Sequence, residues 1–203
     1  WSAVAAAHDL GVIHRDLKPD NIFLATMPAG PPQPRLLDFG IAKVFEGGLT
    51  LTRTNAMLGT PLYMSPEQAQ ESKNITGASD QWSLGVILYQ CVTGARPFEG
   101  RNLLSLLNAI THEQPTPPDQ RAQGLSPVLS RVILRALAKT PEQRFPSVRA
   151  LGGPWSNYKM CVVVDYLEGD ADPAAHFSST PSLAAALAVP GAGTTWCSNP
   201  YVE

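Results

Sequence analysis

The run His14-Arg15-Asp16-Leu17-Lys18-Pro19-Asp20-Asn21, followed later by Asp38-Phe39-Gly40, gathers carboxylates, cations and an amide beside short apolar stretches. Such a set suits phosphoryl transfer. The attacking hydroxyl needs an acceptor for its proton, and a carboxylate such as Asp16 can serve. Charge on the transferring group must be neutralised, usually by Mg2+, which takes carboxylate and amide oxygens. Asn21, five residues beyond Asp16, and the carboxylate of Asp38 can clamp such an ion from two sides. Lys18, two residues after Asp16, can bridge to a phosphate oxygen. The groups that hold a phosphate and a hydroxyl therefore all fall between residues 14 and 40.

These residues need a frame. Ser2 to Leu10 reads as the last turns of a helix, closed by Gly11, which takes the left-handed conformation at little steric cost. Ile22 to Leu24 and Arg35 to Leu37 read as two short strands around the Pro-rich loop Met27 to Pro34, hence a hairpin. Residues 45–58 carry no sustained period and predict a long functional loop. Helices dominate beyond it. One is capped by Ser79 or Asp80 and runs to Gly94, apolar nearly all round, with Trp82, Leu84, Val86, Ile87 and Leu88 as core. Asn102 to Ile110 places Leu103, Leu106, Leu107 and Ile110 on one face, a packing face in preference to a docking one. Ser126 and Pro127 predict a cap and first helical position, with Val128, Leu129, Val132, Ile133, Ala136 and Leu137 facing inward. A last helix from Ser147 is stopped by Gly152-Gly153-Pro154. The expected fold is α+β, mainly α-helical, with a short β-hairpin at the site. Composition shifts at the same glycines, so residues 1–152 are expected to form a domain and 153–203 a tail.

Composition narrows the function. The chain has 15 Lys and Arg against 17 Asp and Glu, a net charge of −2, and so no basic excess for nucleic acid. Proline stands out at 19 of 203 residues, about twice the usual ~5%. Cys91, Cys161 and Cys197 form no CxxC, and with His176 they lack metal-ligand spacing, which predicts a reducing, cytoplasmic setting and no metal site of that kind. No signal peptide is visible in the given residues, and the longest weakly polar run, Leu183 to Val189, is far short of the ~20 residues that cross a bilayer.

The same residues carry a resemblance. His14 to Asn21 and Asp38 to Gly40 resemble the catalytic loop and metal-binding motif of the eukaryotic-type (Hanks-type) Ser/Thr protein kinases, bacterial branch. The match continues in order through Gly59-Thr60-Pro61-Leu62-Tyr63-Met64-Ser65-Pro66-Glu67, with Ser65 where the family has Ala, then Asp80 and Arg144. It covers residues 1 to about 152 and looks like the C-terminal catalytic lobe alone. The resemblance implies ATP and Mg2+, with Asp16 as catalytic base, Asn21 and Asp38 as metal ligands, and Lys18 on the transferring phosphate. It implies that Thr60 helps seat the acceptor hydroxyl of a protein substrate. By the same likeness His14 organises backbone, Asp80 holds the catalytic loop and Glu67 pairs with Arg144, all structural. Arg15 implies control by phosphorylation, with Thr52 or Thr54 modified and docked on its guanidinium.

A glycine-rich loop and a strand lysine over the phosphates, which the family requires, do not occur in the sequence. An N-lobe is expected upstream, and the chain alone is expected to bind ATP weakly. The alternative is a truncated, inactive lobe that binds partners. A longer protein of this kind is often tethered to the membrane by a later helix.

Overall fold

A computed structural model of the chain describes residues 2–26, 33–37 and 61–152. The first helix, α1 (Ser2–Asp9), ends where Gly11 adopts φ +74, and the N–H of Val12 turns back to the carbonyl of Ala7. A loop and a 3₁₀ turn (Pro19–Asn21) lead into β1 (Ile22–Ala25), which pairs antiparallel with β2 (Gln33–Leu36), Ile22 opposite Leu36. The predicted hairpin is present, with its second strand starting at Gln33 instead of Arg35. Pro34 is tolerated there because each strand of a two-stranded sheet has a free edge.

The remainder is helical: α2 (Pro66–Ala69), α3 (Gly77–Thr93), α4 (Leu103–His112), α5 (Pro118–Arg121), α6 (Pro127–Ala136) and α7 (Val148–Gly152). The abundance of proline has a local cause. Pro19, Pro61, Pro66, Pro118, Pro127 and Pro141 each open a helical turn, where a fixed φ helps and the missing N–H costs nothing.

The long helix α3 is the hub. Its Trp82, Val86 and Tyr89 are at most 1% exposed, and Trp82 stacks on Phe98 with ring centroids 5.4 Å apart. Gly85 lets α6 approach closely, since a Cβ there would meet the Cβ of Ala136 at 3.0 Å. A second, smaller cluster joins Val4 of α1, Leu17 of the loop and Val148 of α7, with Leu36 and Leu84 packed against it. Leu17 is thus a plug that fastens the loop between Asp16 and Lys18 to three elements.

Two expectations are corrected. The cap of α3 is Thr76, whose hydroxyl accepts from the N–H of Ala78; Ser79 and Asp80 lie inside the first turn, because their side chains are engaged elsewhere. Val128 is 47% exposed: the buried face of α6 runs through Leu129, Ile133 and Ala136, and Val128 lies on the opposite, solvent side with Arg131 and Arg135. Ser126 does cap that helix, and the Asn102 capping box opens α4.

Candidate active site

The segment from His14 to Asn21 is held by its backbone. Asp80, fully buried in the first turn of α3, accepts from the N–H of His14 and the N–H of Arg15, each at 2.9 Å, on its two oxygens. His8 of α1 adds a third bond to the Asp80 carboxylate at 2.7 Å. Arg15 sits at φ +65, a left-handed conformation that disfavours a side chain by roughly 1–2 kcal/mol. Hydrogen bonds to charged groups, worth about 1.5–3 kcal/mol each, more than offset that strain.

His14 is itself buried. Its Nδ1 accepts from the N–H of Asp16 at 3.3 Å, which leaves Nε2 to carry the proton and donate to the carbonyl of Leu37 at 3.2 Å. Leu37 is also fixed from its other side, its N–H donating to the carbonyl of Asn21 at 2.8 Å. The end of β2 is therefore stitched to both ends of the His14–Asn21 segment.

The side chains then converge. Lys18 Nζ lies 3.5 Å from Asp16 Oδ2, both partly exposed. Asn21 donates through Nδ2 to the backbone carbonyl of Asp16 at 2.7 Å. That commitment leaves the amide oxygen, the atom a hard cation prefers, as the one turned to other uses. Among the described residues no group of three or more His, Cys, Asp or Glu gathers as a metal site. Asp38, Thr60, Thr52 and Thr54 lie outside the described residues, as do Cys161, Cys197 and the tail 153–203.

Behind the site, Glu67 and Arg144 meet fork to fork, Nη1 to Oε1 at 2.7 Å and Nη2 to Oε2 at 2.8 Å. The Ser79 hydroxyl donates to the same carboxylate at 2.6 Å. Burial pushes the Glu67 carboxyl up, but the hydrogen bonds and charge of Arg144, with Ser79, outweigh it and hold the group below its ordinary value.

The sequence profile of the protein kinase domain matches residues 1–156. The chain belongs to the protein kinase domain family. Its curated kinase relatives include serine/threonine-protein kinase Pkn1 of Myxococcus xanthus, 45% identical over 148 residues, covering 73% of this chain and 21% of that protein. Pkn3 of the same organism is 45% identical over 154 residues, 73% of this chain and 28% of its own length. PknB of Mycobacterium leprae is 41% identical over 143 residues, 70% and 22% respectively. The chain thus spans between 21% and 28% of these bacterial Ser/Thr kinases. Within the kinase fold, the described part corresponds to a mainly helical lobe with a two-stranded antiparallel sheet.

Sequence reasoning missed several participants. Gln68, His8 and Lys139 were not singled out, although each bonds a kinase motif residue or a helix end across a long sequence separation. For Gln68 a signal existed: Ser65 followed three residues later by Gln is a capping-box pattern.

Proposed function

We propose that the chain is the catalytic lobe of a bacterial protein Ser/Thr kinase, moving the terminal phosphoryl group of ATP to Ser or Thr hydroxyls of protein substrates. The observation that carries this reading is the backbone clamp. Asp80 fixes His14 and Arg15 so that Asp16 and Lys18 stand 3.5 Å apart, with Asn21 tied to Asp16. Asp16 takes the proton of the acceptor hydroxyl as it attacks. Lys18 beside it offsets charge on the phosphoryl oxygens and keeps the carboxylate oriented. Thr60 seats the acceptor. Asn21, through its amide oxygen, and Asp38 would hold magnesium, which neutralises phosphate charge when bound.

An N-lobe belongs over this surface in the complete enzyme. Phe23 and Leu37, 56% and 45% exposed beside the site, are apolar residues that a covering segment would shield. Residues 1–152 form the lobe and 153–203 a tail. Among the described residues no helix is long and apolar enough to cross a membrane. In this reading the lobe works on the cytoplasmic side, tethered to the membrane in a longer protein. Control comes from autophosphorylation of Thr52 or Thr54, docked on Arg15. The Nε of Arg15 is buried with no hydrogen-bond partner among the described residues, a donor that a phosphate would satisfy.

The test is phosphate transfer to a protein substrate by the complete kinase carrying this chain, with Asp16→Asn beside it. Loss of transfer in a folded variant is expected; full activity in Asp16→Asn removes the base assignment. Peptide mass spectrometry is expected to find phosphate on Thr52 or Thr54, and bare threonines in active enzyme would overturn the docking role of Arg15. A second reading, an inert binding lobe, is favoured by the uncovered Phe23 and Leu37. The coding sequence upstream of Trp1 separates them: a glycine-rich loop and a strand lysine in frame restore the enzyme, and their absence leaves the inert lobe.

A further inference from the structure

We propose that Gln68 is a positioning residue for Asp16, acting as a strut from the substrate-side loop to the catalytic loop. Its Nε2 donates to the carbonyl of Arg15 at 2.9 Å, across 53 residues of sequence. That carbonyl and the N–H of Asp16 belong to one rigid peptide unit, so the bond sets the plane from which the Asp16 side chain departs. Asp80 grips the N–H side of Arg15, and Gln68 grips the carbonyl side. Between them a residue at φ +65 keeps one orientation.

The strut is aimed and anchored. Gln68 Oε1 accepts from both the N–H and the hydroxyl of Ser65 at 3.1 Å, which fixes the amide with its NH2 toward Arg15. The Ser65 hydroxyl in turn accepts from the N–H of Gln68 at 3.4 Å, completing the capping box of α2. Ser65 is fully buried, and neighbouring Glu67 is bolted to Arg144. Ser65, where the family motif carries Ala, is thus the residue that orients Gln68. Because the turn Pro61–Tyr63 leads directly into Ser65, displacement of the substrate-side loop is felt at Asp16.

The inference rests on the reading of Asp16 as proton acceptor, and Gln68→Glu tests it. Glu keeps the capping-box acceptor but cannot donate to the Arg15 carbonyl when ionised. A purely helix-capping role predicts no change. The strut predicts a kcat lower by on the order of tenfold to a hundredfold in the complete kinase, with KM for ATP unchanged and melting temperature retained. Ser65→Ala should lower kcat less, and the two changes should not add. In the 203-residue chain, amide exchange of Asp16 should quicken in Gln68→Glu, a readout independent of activity. Parental kcat, or unchanged Asp16 exchange, overturns the strut. Activity in Asp16→Asn would instead remove the base assignment, and the exchange result would still decide whether Gln68 holds the loop.

Discussion

Arg144 presents its guanidinium to Glu67 with two parallel bonds and directs its remaining N–H groups to the carbonyls of Ala78, Ala138 and Lys139. Every donor of the fork is thereby matched inside the fold. The pair joins α2, the start of α3 and the turn after α6, so it secures the ground from which Gln68 and Asp80 act. Arg144→Met leaves a buried carboxylate and three carbonyls without their donor. A loss of roughly 3–5 kcal/mol of unfolding free energy is expected, read by urea denaturation of the 203-residue chain. Glu67→Gln, which keeps an acceptor in place, should cost less. Equal losses would mean that the carbonyl bonds of Arg144 contribute nothing.

The same pair makes a prediction in acid. Burial acts to raise the Glu67 carboxyl, yet Arg144 and Ser79 bring it below its ordinary 4.5. The unfolded chain then binds a proton at a higher pH than the native chain does. Its stabilisation is full above about 4.5 and disappears as pH falls through the lower native value. Stability measured from pH 6 down to pH 3 should fall less steeply in Glu67→Gln than in the parent. Parallel curves would show that Glu67 does not couple protons to folding.

What the sequence revealed and what it hid divide along physical lines. The grouping of His14, Arg15, Asp16, Lys18 and Asn21 was readable because all five fall within one short segment of chain, and the structure keeps them together. The core of α3, the Ser126 cap and the Leu106–Ile110 face were readable because periodicity survives over several turns. The single turn α2 and the 3₁₀ turns leave no period to detect. The cap of α3 was misplaced because Asp80 has the chemistry of a cap, while tertiary contacts with His8, His14 and Arg15 claim its oxygens. The capping-box pattern marks Gln68 locally, but its bond to the Arg15 carbonyl forms only on folding, and nothing in the sequence marks that pairing.

Lys139 gives a second pH test, of the same direction but at the alkaline end. Its Nζ donates to the carbonyl of Ile110 at 2.7 Å at the end of α4 and lies 3.9 Å over the Phe98 ring. Burial lowers this amine to about 8, with Glu113 opposing and Arg144 assisting. Between about 8 and the ordinary 10.5 the unfolded chain holds a proton that the native chain has released, so this group makes stability rise with pH. Buried Cys91, pushed up from 9.0 to about 12, has the reverse effect, its contribution fading as pH rises above 9.0. The difference between parent and Lys139→Met isolates the lysine. It should move in favour of the parent from pH 8 to pH 10, and a flat difference would show that Lys139 titrates normally.

The grip of Asp80 on the loop at His14 and Arg15 can be tested without any assay of phosphate transfer. A carboxylate offers acceptors on both oxygens, and Asp80 uses Oδ2 for the N–H of His14 and Oδ1 for that of Arg15. Asparagine has nearly the same shape but only one oxygen, and its NH2 would face a second donor. In Asp80→Asn one of the two backbone N–H groups must therefore lose its partner inside a buried site. The lost bond is charge-assisted, worth about 1.5–3 kcal/mol, which corresponds to local opening roughly tenfold or more as frequent. Amide hydrogen exchange at His14 and Arg15 should quicken by that factor. Amides deep in α3, such as those of Val86 and Tyr89, should change only as far as global stability changes. Uniform acceleration across both regions would mean that Asp80 supports the whole fold and not the loop in particular. Unchanged exchange at His14 and Arg15 would remove Asp80 as the clamp, leaving the left-handed turn at Arg15 to be held by Gln68 alone.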